Sequence, residues 1–237
     1  YGFDLLSPGL YVPNDDNTTI FNIAAVNIEE NGYKKPVNYV LPPDIERVQN
    51  VMTNNFQQLN EQSIQLKVCN LLDGDARAVF KNTTLDIRAY KRIRMFVHAE
   101  GDNLRNDELH AFVRLGNDFT GNYYEYEIPL KVTQPGLYKG EVLDDRRKVW
   151  PTENELNVTF EELNNVKLER NSQKYDKNFP YTIITSDGKR ITVKGNPNLS
   201  NVQVIMMGIR NPKCNAISPG NDDCGSECGE VWFNELR

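Results

Sequence analysis

Arg92-Ile93-Arg94-Met95-Phe96-Val97-His98, followed by Leu109-His110-Ala111-Phe112-Val113-Arg114-Leu115, alternates side-chain character residue by residue. Successive side chains of an extended strand point to opposite faces, so a period of two marks a strand. In the first run Ile93, Met95 and Val97 form the apolar face, and Arg92, Arg94, Phe96 and His98 oppose it. In the second, Leu109, Ala111, Val113 and Leu115 are apolar, and His110, Phe112 and Arg114 oppose them. Paired as a long-looped hairpin, the two runs would bring Arg94, Phe96, His98, His110, Phe112 and Arg114 onto one surface. Aromatic rings flanked by guanidinium groups suit a sugar, a peptide or another chain segment, so these six are the candidate ligand or partner face. The competing reading is a covered second face of a sandwich.

The same period recurs on both sides of these runs. Ile64 to Cys69, Arg77 to Lys81, Tyr123 to Ile128, Tyr181 to Thr185, Arg190 to Val193, Val202 to Ile209 and Val231 to Leu236 all suit short strands. Ser186-Asp187-Gly188-Lys189 is a hairpin turn between two of them. Eight or more short strands with turns between them describe a mostly β chain, an antiparallel β-sandwich of jelly-roll-like form. One or two short helices interrupt it. Thr152 with Glu155, and Thr159 with Glu162, both have capping-box spacing, and either could open a helix carrying Phe160, Leu163 and Val166. A further helix is expected from Asp44, with Ile45, Val48, Met52, Phe56 and Leu59 at helical spacing. Residues 1–60 are expected as an irregular leader with that helix, and 61–237 as the sandwich.

Composition narrows the function. The 237 residues are 39% hydrophobic and 10% aromatic, with mean hydropathy −0.59, values of a folded polar chain. A net charge of −6, spread along the sequence, argues against a nucleic-acid partner. No apolar stretch approaches the roughly 18 residues of a membrane helix, and Tyr1-Gly2-Phe3-Asp4 does not open a signal peptide. Beginning without Met and ending just after an apolar run, the chain is expected to be part of something larger. There is no phosphate loop, dinucleotide fingerprint, H-E-x-x-H or G-x-S-x-G, and two histidines leave little for acid–base chemistry. Asp73-Gly74-Asp75 reads as a turn, because Arg77 and Thr84 stand where a calcium loop needs ligands. Nothing calls for a cofactor or a metal, and no enzyme is expected.

Cys69 lies in an alternating run and reads as an inert strand side chain, whereas Cys214, Cys224 and Cys228 lie in a loop-like stretch rich in Asn, Asp, Gly and Pro. No C-x2-C pair or nearby histidine completes a zinc site. A disulfide pinning the loop is expected instead, Cys224–Cys228 and Cys214–Cys228 being the easiest pairs.

Longer stretches carry a resemblance. Lys35 to Pro43, Leu59 to Ser63, Leu66 to Leu71, Asp73 to Asn82, Leu85 to Arg92, Met95 to Glu100, Arg114 to Asp118 and Glu230 to Arg237 together resemble the SprA/Sov family of Bacteroidetes. That family serves gliding motility and type IX secretion. The resemblance implies a parent forming a very large outer-membrane β-barrel, the translocon through which folded cargo leaves the cell. It implies PorV-type and plug partner proteins, other segments of the parent barrel, and cargo bearing C-terminal secretion domains. It supplies no catalytic residues. The chain lacks the roughly ten-residue alternating runs of a barrel wall, so it is expected as a soluble insertion that caps or lines the barrel, on the periplasmic or extracellular side. The alternative expectation is a carbohydrate-binding-like jelly-roll module at the cell surface.

Overall fold

The computed structural model describes residues 2–6, 18–46, 61–214 and 225–234. Its strands are β1 (Gly2–Leu6), β2 (Ile20–Asn27), β3 (Gln62–Leu71), β4 (Asp75–Leu85), β5 (Arg92–Met95), β6 (Val97–Glu100), β7 (His110–Gly116), β8 (Tyr123–Pro129), β9 (Leu156–Thr159), β10 (Tyr181–Ile184), β11 (Arg190–Lys194), β12 (Val202–Arg210) and β13 (Glu227–Phe233). Three helices interrupt them: α1 (Ile28–Asn31), α2 (Leu143–Val149) and α3 (Phe160–Ser172). All the paired strands run antiparallel, in a seven-stranded sheet ordered β1-β4-β12-β7-β8-β11-β10, a four-stranded sheet ordered β2-β3-β13-β6, and the pair β5-β9.

This order is a jelly roll. β5 runs into β6 with only Phe96 between them, so β9 extends the smaller sheet to β3-β13-β6/β5-β9, facing β4-β12-β7-β8. Beyond β2 the chain crosses between the layers at β3–β4, β4–β5, β6–β7, β8–β9, β9–β10 and β12–β13, the double Greek-key wrap of that architecture. β1 and β2 add an edge strand to each layer. Residues 1–60, expected as an irregular leader, thus supply strands to both sheets, and the sandwich takes chain from both sides of residue 60. The helix expected beyond Asp44 lies mostly outside the described residues.

The parity of the apolar residues explains the core. Leu66 and Val68 of β3, Val97 and Ala99 of β6, and Val231 and Phe233 of β13 meet Ala111, Val113 and Leu115 of β7 and Tyr124, Tyr126 and Ile128 of β8 in one buried cluster. Each large side chain so buried contributes roughly 2 kcal/mol. α3 closes one side of this core with Phe160, Leu163 and Val166. Its capping box is the one at Thr159: Glu162 N donates to Thr159 Oγ1 (3.1 Å), and Thr159 N donates to Glu162 Oε2 (2.7 Å). Thr152–Asn154 forms only a 3₁₀ turn. The Ser186–Lys189 turn joins β10 to β11 as expected, with Gly188 at φ 80°. Among the described residues no helix is long and apolar enough to cross a membrane.

Candidate functional site

The six residues expected on one face are divided between the two outsides of the sandwich. β6 pairs with β13, and β7 with β12 and β8, so no hairpin joins the runs. The assignment of faces holds, because Val97 and Val113 point into the shared core. Phe96 and His98 therefore point outward from the smaller sheet, while His110, Phe112 and Arg114 point outward from the larger one. Neither group is open: Phe96, His98, His110, Phe112 and Arg114 are all buried. Arg94 alone is partly exposed, and it is held by Asp44 (3.0 Å) and Glu155 and lies over the Phe96 ring.

The outside of the smaller sheet is sealed by aromatic rings. Chain from Val37 to Ile45 and the end of α2 bring Tyr39, Val149 and Trp150 over Trp232 and Phe96. His98, fully buried, stacks on Trp232 with ring centroids 3.9 Å apart. Its Nδ1 donates to the Val149 carbonyl (2.8 Å), and its Nε2 faces Glu100 Oε2 at 3.6 Å. Lys34 bridges Glu100 and Glu230 (2.7 Å to the latter) and stands over the Trp232 ring, whose Nε1 donates to Glu230 (2.7 Å). Burial would push the Glu100 carboxyl up, but the His98 contact and the Lys34 charge hold it below the usual carboxylate range. Trp150 Nε1 donates to the Val40 carbonyl (2.7 Å). Tyr39 hydroxyl and Ser63 are 2.9 Å apart, and burial raises the phenol to about 12.

The outside of the larger sheet is sealed by ion pairs. Strand register puts Arg114 opposite Glu125 and Phe112 opposite Glu127 on β8, and Arg210 of β12 beside His110. Arg114 Nε donates to Glu125 Oε2 (2.8 Å), Arg210 reaches Glu125 Oε1 (3.0 Å) and Glu127, and His110 Nδ1 lies 2.7 Å from Glu127 Oε1. Arg190 adds a second cation to Glu127 (3.2 Å). The guanidinium groups also cover rings, Arg114 over Tyr123 at 3.9 Å and Arg210 over Phe112 at 4.8 Å. Against the cost of burial, Arg114 and Arg210 hold the Glu125 carboxyl below its usual range. Phe112 lies against Gly208, where any Cβ would come within 2.6 Å of the ring.

The cysteine expectation needs correction. Cys69 is not an inert strand residue but the disulfide partner of Cys228. β3 and β13 are neighbours, and their register shift between Glu227 and Gly229 sets the two cysteines side by side, Cα atoms 4.0 Å apart. Cys228 is therefore unavailable to Cys214 or Cys224; Cys214 is itself disulfide-bonded. Strand register, not nearness in sequence, chose the pair.

The sequence model of SprA_N, described as a motility related/secretion protein, matches residues 6–237. This chain belongs to that family. No curated protein matches it. Among solved structures it is similar to an exo-β-agarase at 11% identity and TM-score 0.39, covering 99% of this chain and 24% of that one. The chain thus spans about a quarter of the agarase.

For a SprA_N chain the chemistry that remains is sparse. Thr133, His98 and Glu100 lie in line as a nucleophile, base and acid would, with Thr133 Oγ1 3.2 Å from His98 Nδ1. All three are buried, and Nδ1 already gives its proton to a carbonyl, so it cannot take one from Thr133. A cavity of about 470 Å³ is lined by Asp107, His110, Lys131, Glu153, Asp187 and Lys189, besides Pro129 and Gly188. Asp107 pairs with Lys131 (2.7 Å) and Asp187 with Lys189 (2.8 Å), and no Phe, Tyr or Trp ring lines it on which a sugar could stack. Among the described residues no group of three His, Cys, Asp or Glu could hold a metal ion. Sequence reasoning missed Lys34, Glu100, Glu230, Glu125, Glu127 and Arg210. For Glu125 and Glu127 the signal was present, since Tyr-Tyr-Glu-Tyr-Glu-Ile puts both carboxylates on the face opposite the core.

Proposed function

We propose that the chain is a non-catalytic insertion domain of an outer-membrane protein-export channel, the type IX secretion translocon of gliding Bacteroidetes. The family match across residues 6–237 is the observation that carries this reading. Two features support it. A disulfide between strands, Cys69–Cys228, suits the oxidising side of a membrane, periplasmic or extracellular, and not the cytosol. The buried histidines and carboxylates are engaged with one another and shut away from solvent, which leaves the surface as the working part. The mechanism is steric: a closed sandwich near the pore shapes access and touches cargo carrying C-terminal secretion domains, PorV-type or plug partners, or other segments of the parent barrel. The sugar-binding alternative loses its platform, because its six residues are buried or held on opposite outsides.

Deleting the segment from the parent tests the reading. The barrel should still insert in the outer membrane while export of cargo falls; unchanged export would sink the proposal.

A further inference from the structure

The β2 edge of the smaller sheet is guarded very differently from the β10 edge of the larger one. β10, the outermost strand of the larger sheet, has four residues and a turn beyond it that carries Asp187 and Lys189. β2, outermost in the smaller sheet, is Ile20-Phe21-Asn22-Ile23-Ala24-Ala25-Val26-Asn27, eight residues without a charge or a proline. A quarter of the whole chain is charged, so the gap is a property of this strand. Natural edge strands are ordinarily short, charged, bulged or covered, because an open edge pairs with any strand that reaches it. Among the described residues nothing pairs with the outer side of β2.

Its side chains repeat the point on both faces. Phe21, Ile23 and Ala25 lie opposite Val68, Leu66 and Ile64 of β3, on the side that faces the core, yet Ile23 is 44% exposed. On the other side Ile20 is 58% exposed, and Asn22 and Ala24 are exposed with it. Only Val26 and Asn27, at the end that meets α1, are buried. α1 then carries Glu29 and Glu30 in its first turn, so the edge is uncharged and mostly apolar along its length and acidic at one end.

We infer that β2 is a strand-addition site, completed by an extended segment of another polypeptide. Backbone hydrogen bonds along the edge would give affinity, and alternate side chains would lie over Ile20 and Ile23. The complementary occupant is uncharged and β-branched along about eight residues, with Lys or Arg at the end that meets Glu29 and Glu30. It would add a strand to the smaller sheet outside β2. This deepens the contact reading above by naming the partner's chemistry.

The test uses the whole chain and a labelled peptide of about ten residues that begins with two lysines, the end an antiparallel partner sets beside Glu29 and Glu30, and continues in alternating valine and threonine. Fluorescence anisotropy should show saturable binding, and hydrogen exchange should slow at β2 amides and not at β10. Ile23→Lys and Ala24→Lys should each weaken binding by about tenfold or more, with Ile184→Lys on β10 as the unaffected control. Thermal melting identifies any variant that misfolds; the exchange pattern of the unaltered chain decides the matter without variants. Absent binding, binding indifferent to the β2 variants, or unchanged exchange at β2 would overturn the inference. So would a dimer in sedimentation with β2 protected before peptide is added, which makes a second copy the occupant. These results leave the deletion test for the export role untouched, so either idea can fail alone.

Discussion

The outside of the smaller sheet and the outside of the larger one solve one problem in two ways. Each presents polar strand residues that the core does not use, and each buries them. On the smaller sheet the cover is aromatic: Trp150, Trp232 and Tyr39 enclose His98, and one cation, Lys34, serves two carboxylates. On the larger sheet the cover is ionic, with Arg114, Arg190 and Arg210 distributed over Glu125 and Glu127. The first should owe its stability mostly to apolar area, the second to the completeness of its pairing, since a buried charge left without its partner is costly. Clustered His, Glu and Arg therefore need not be chemistry; here they are how two outward faces became interior.

Substitutions separate the two modes. The largest effect is expected for Trp232→Ala, which empties a fully buried ring site and strips the stack from His98 and the donor from Glu230: about 4 kcal/mol in urea unfolding. Arg210→Met should cost about 3 kcal/mol by leaving Glu125 and Glu127 underpaired, and adding Glu127→Gln should restore part of it. If Arg210→Met were neutral, the ionic face would be ornamental and the contrast would fail. Cys228→Ser should cost about 3 kcal/mol, and thiol reductant should remove at least that much from the unaltered chain, because it also opens the bridge of Cys214. Peptide mapping should join Cys69 to Cys228; Cys69 found as a free thiol would refute that pairing.

Titration gives the smallest effects. Glu125 is held below its usual range in the folded chain, so its contribution is present above about pH 4 and is lost as pH falls through the lower folded value. Glu125→Gln should flatten that acid limb. Tyr39 behaves oppositely: raised to about 12, it favours folding below about pH 10, and that contribution fades as pH rises toward 12. Tyr39→Phe should reduce the alkaline slope, which the buried Tyr124 shares, and should remove about 1 kcal/mol with the Ser63 hydrogen bond.

The sequence carried the face of each residue and not its neighbours. Ile93, Met95, Val97, Ala111, Val113 and Leu115 all entered the core on the side their parity demanded. What parity cannot encode is pairing. β6 takes β13, far along the chain, and a one-residue interruption at Phe96 hands β5 to β9 instead. The hairpin drawn between the Arg92 and Leu109 runs failed for that reason, and so did the placing of Cys69, whose partner is 159 residues away. The capping box at Thr159 and the Ser186–Lys189 turn were legible because both are decided within a few residues. The short β9 and α2 gave too few periods to register.

We propose that this SprA_N chain works by contact and not by catalysis. Export by the whole parent channel carrying His98→Asn or Glu125→Gln, normalised to the folded channel in the outer membrane, tests it most directly. The account predicts export per channel equal to that of the unaltered parent, against a clear loss when the segment is deleted. A channel that is folded and inserted at the normal level, yet exports nothing after either single substitution, would contradict it.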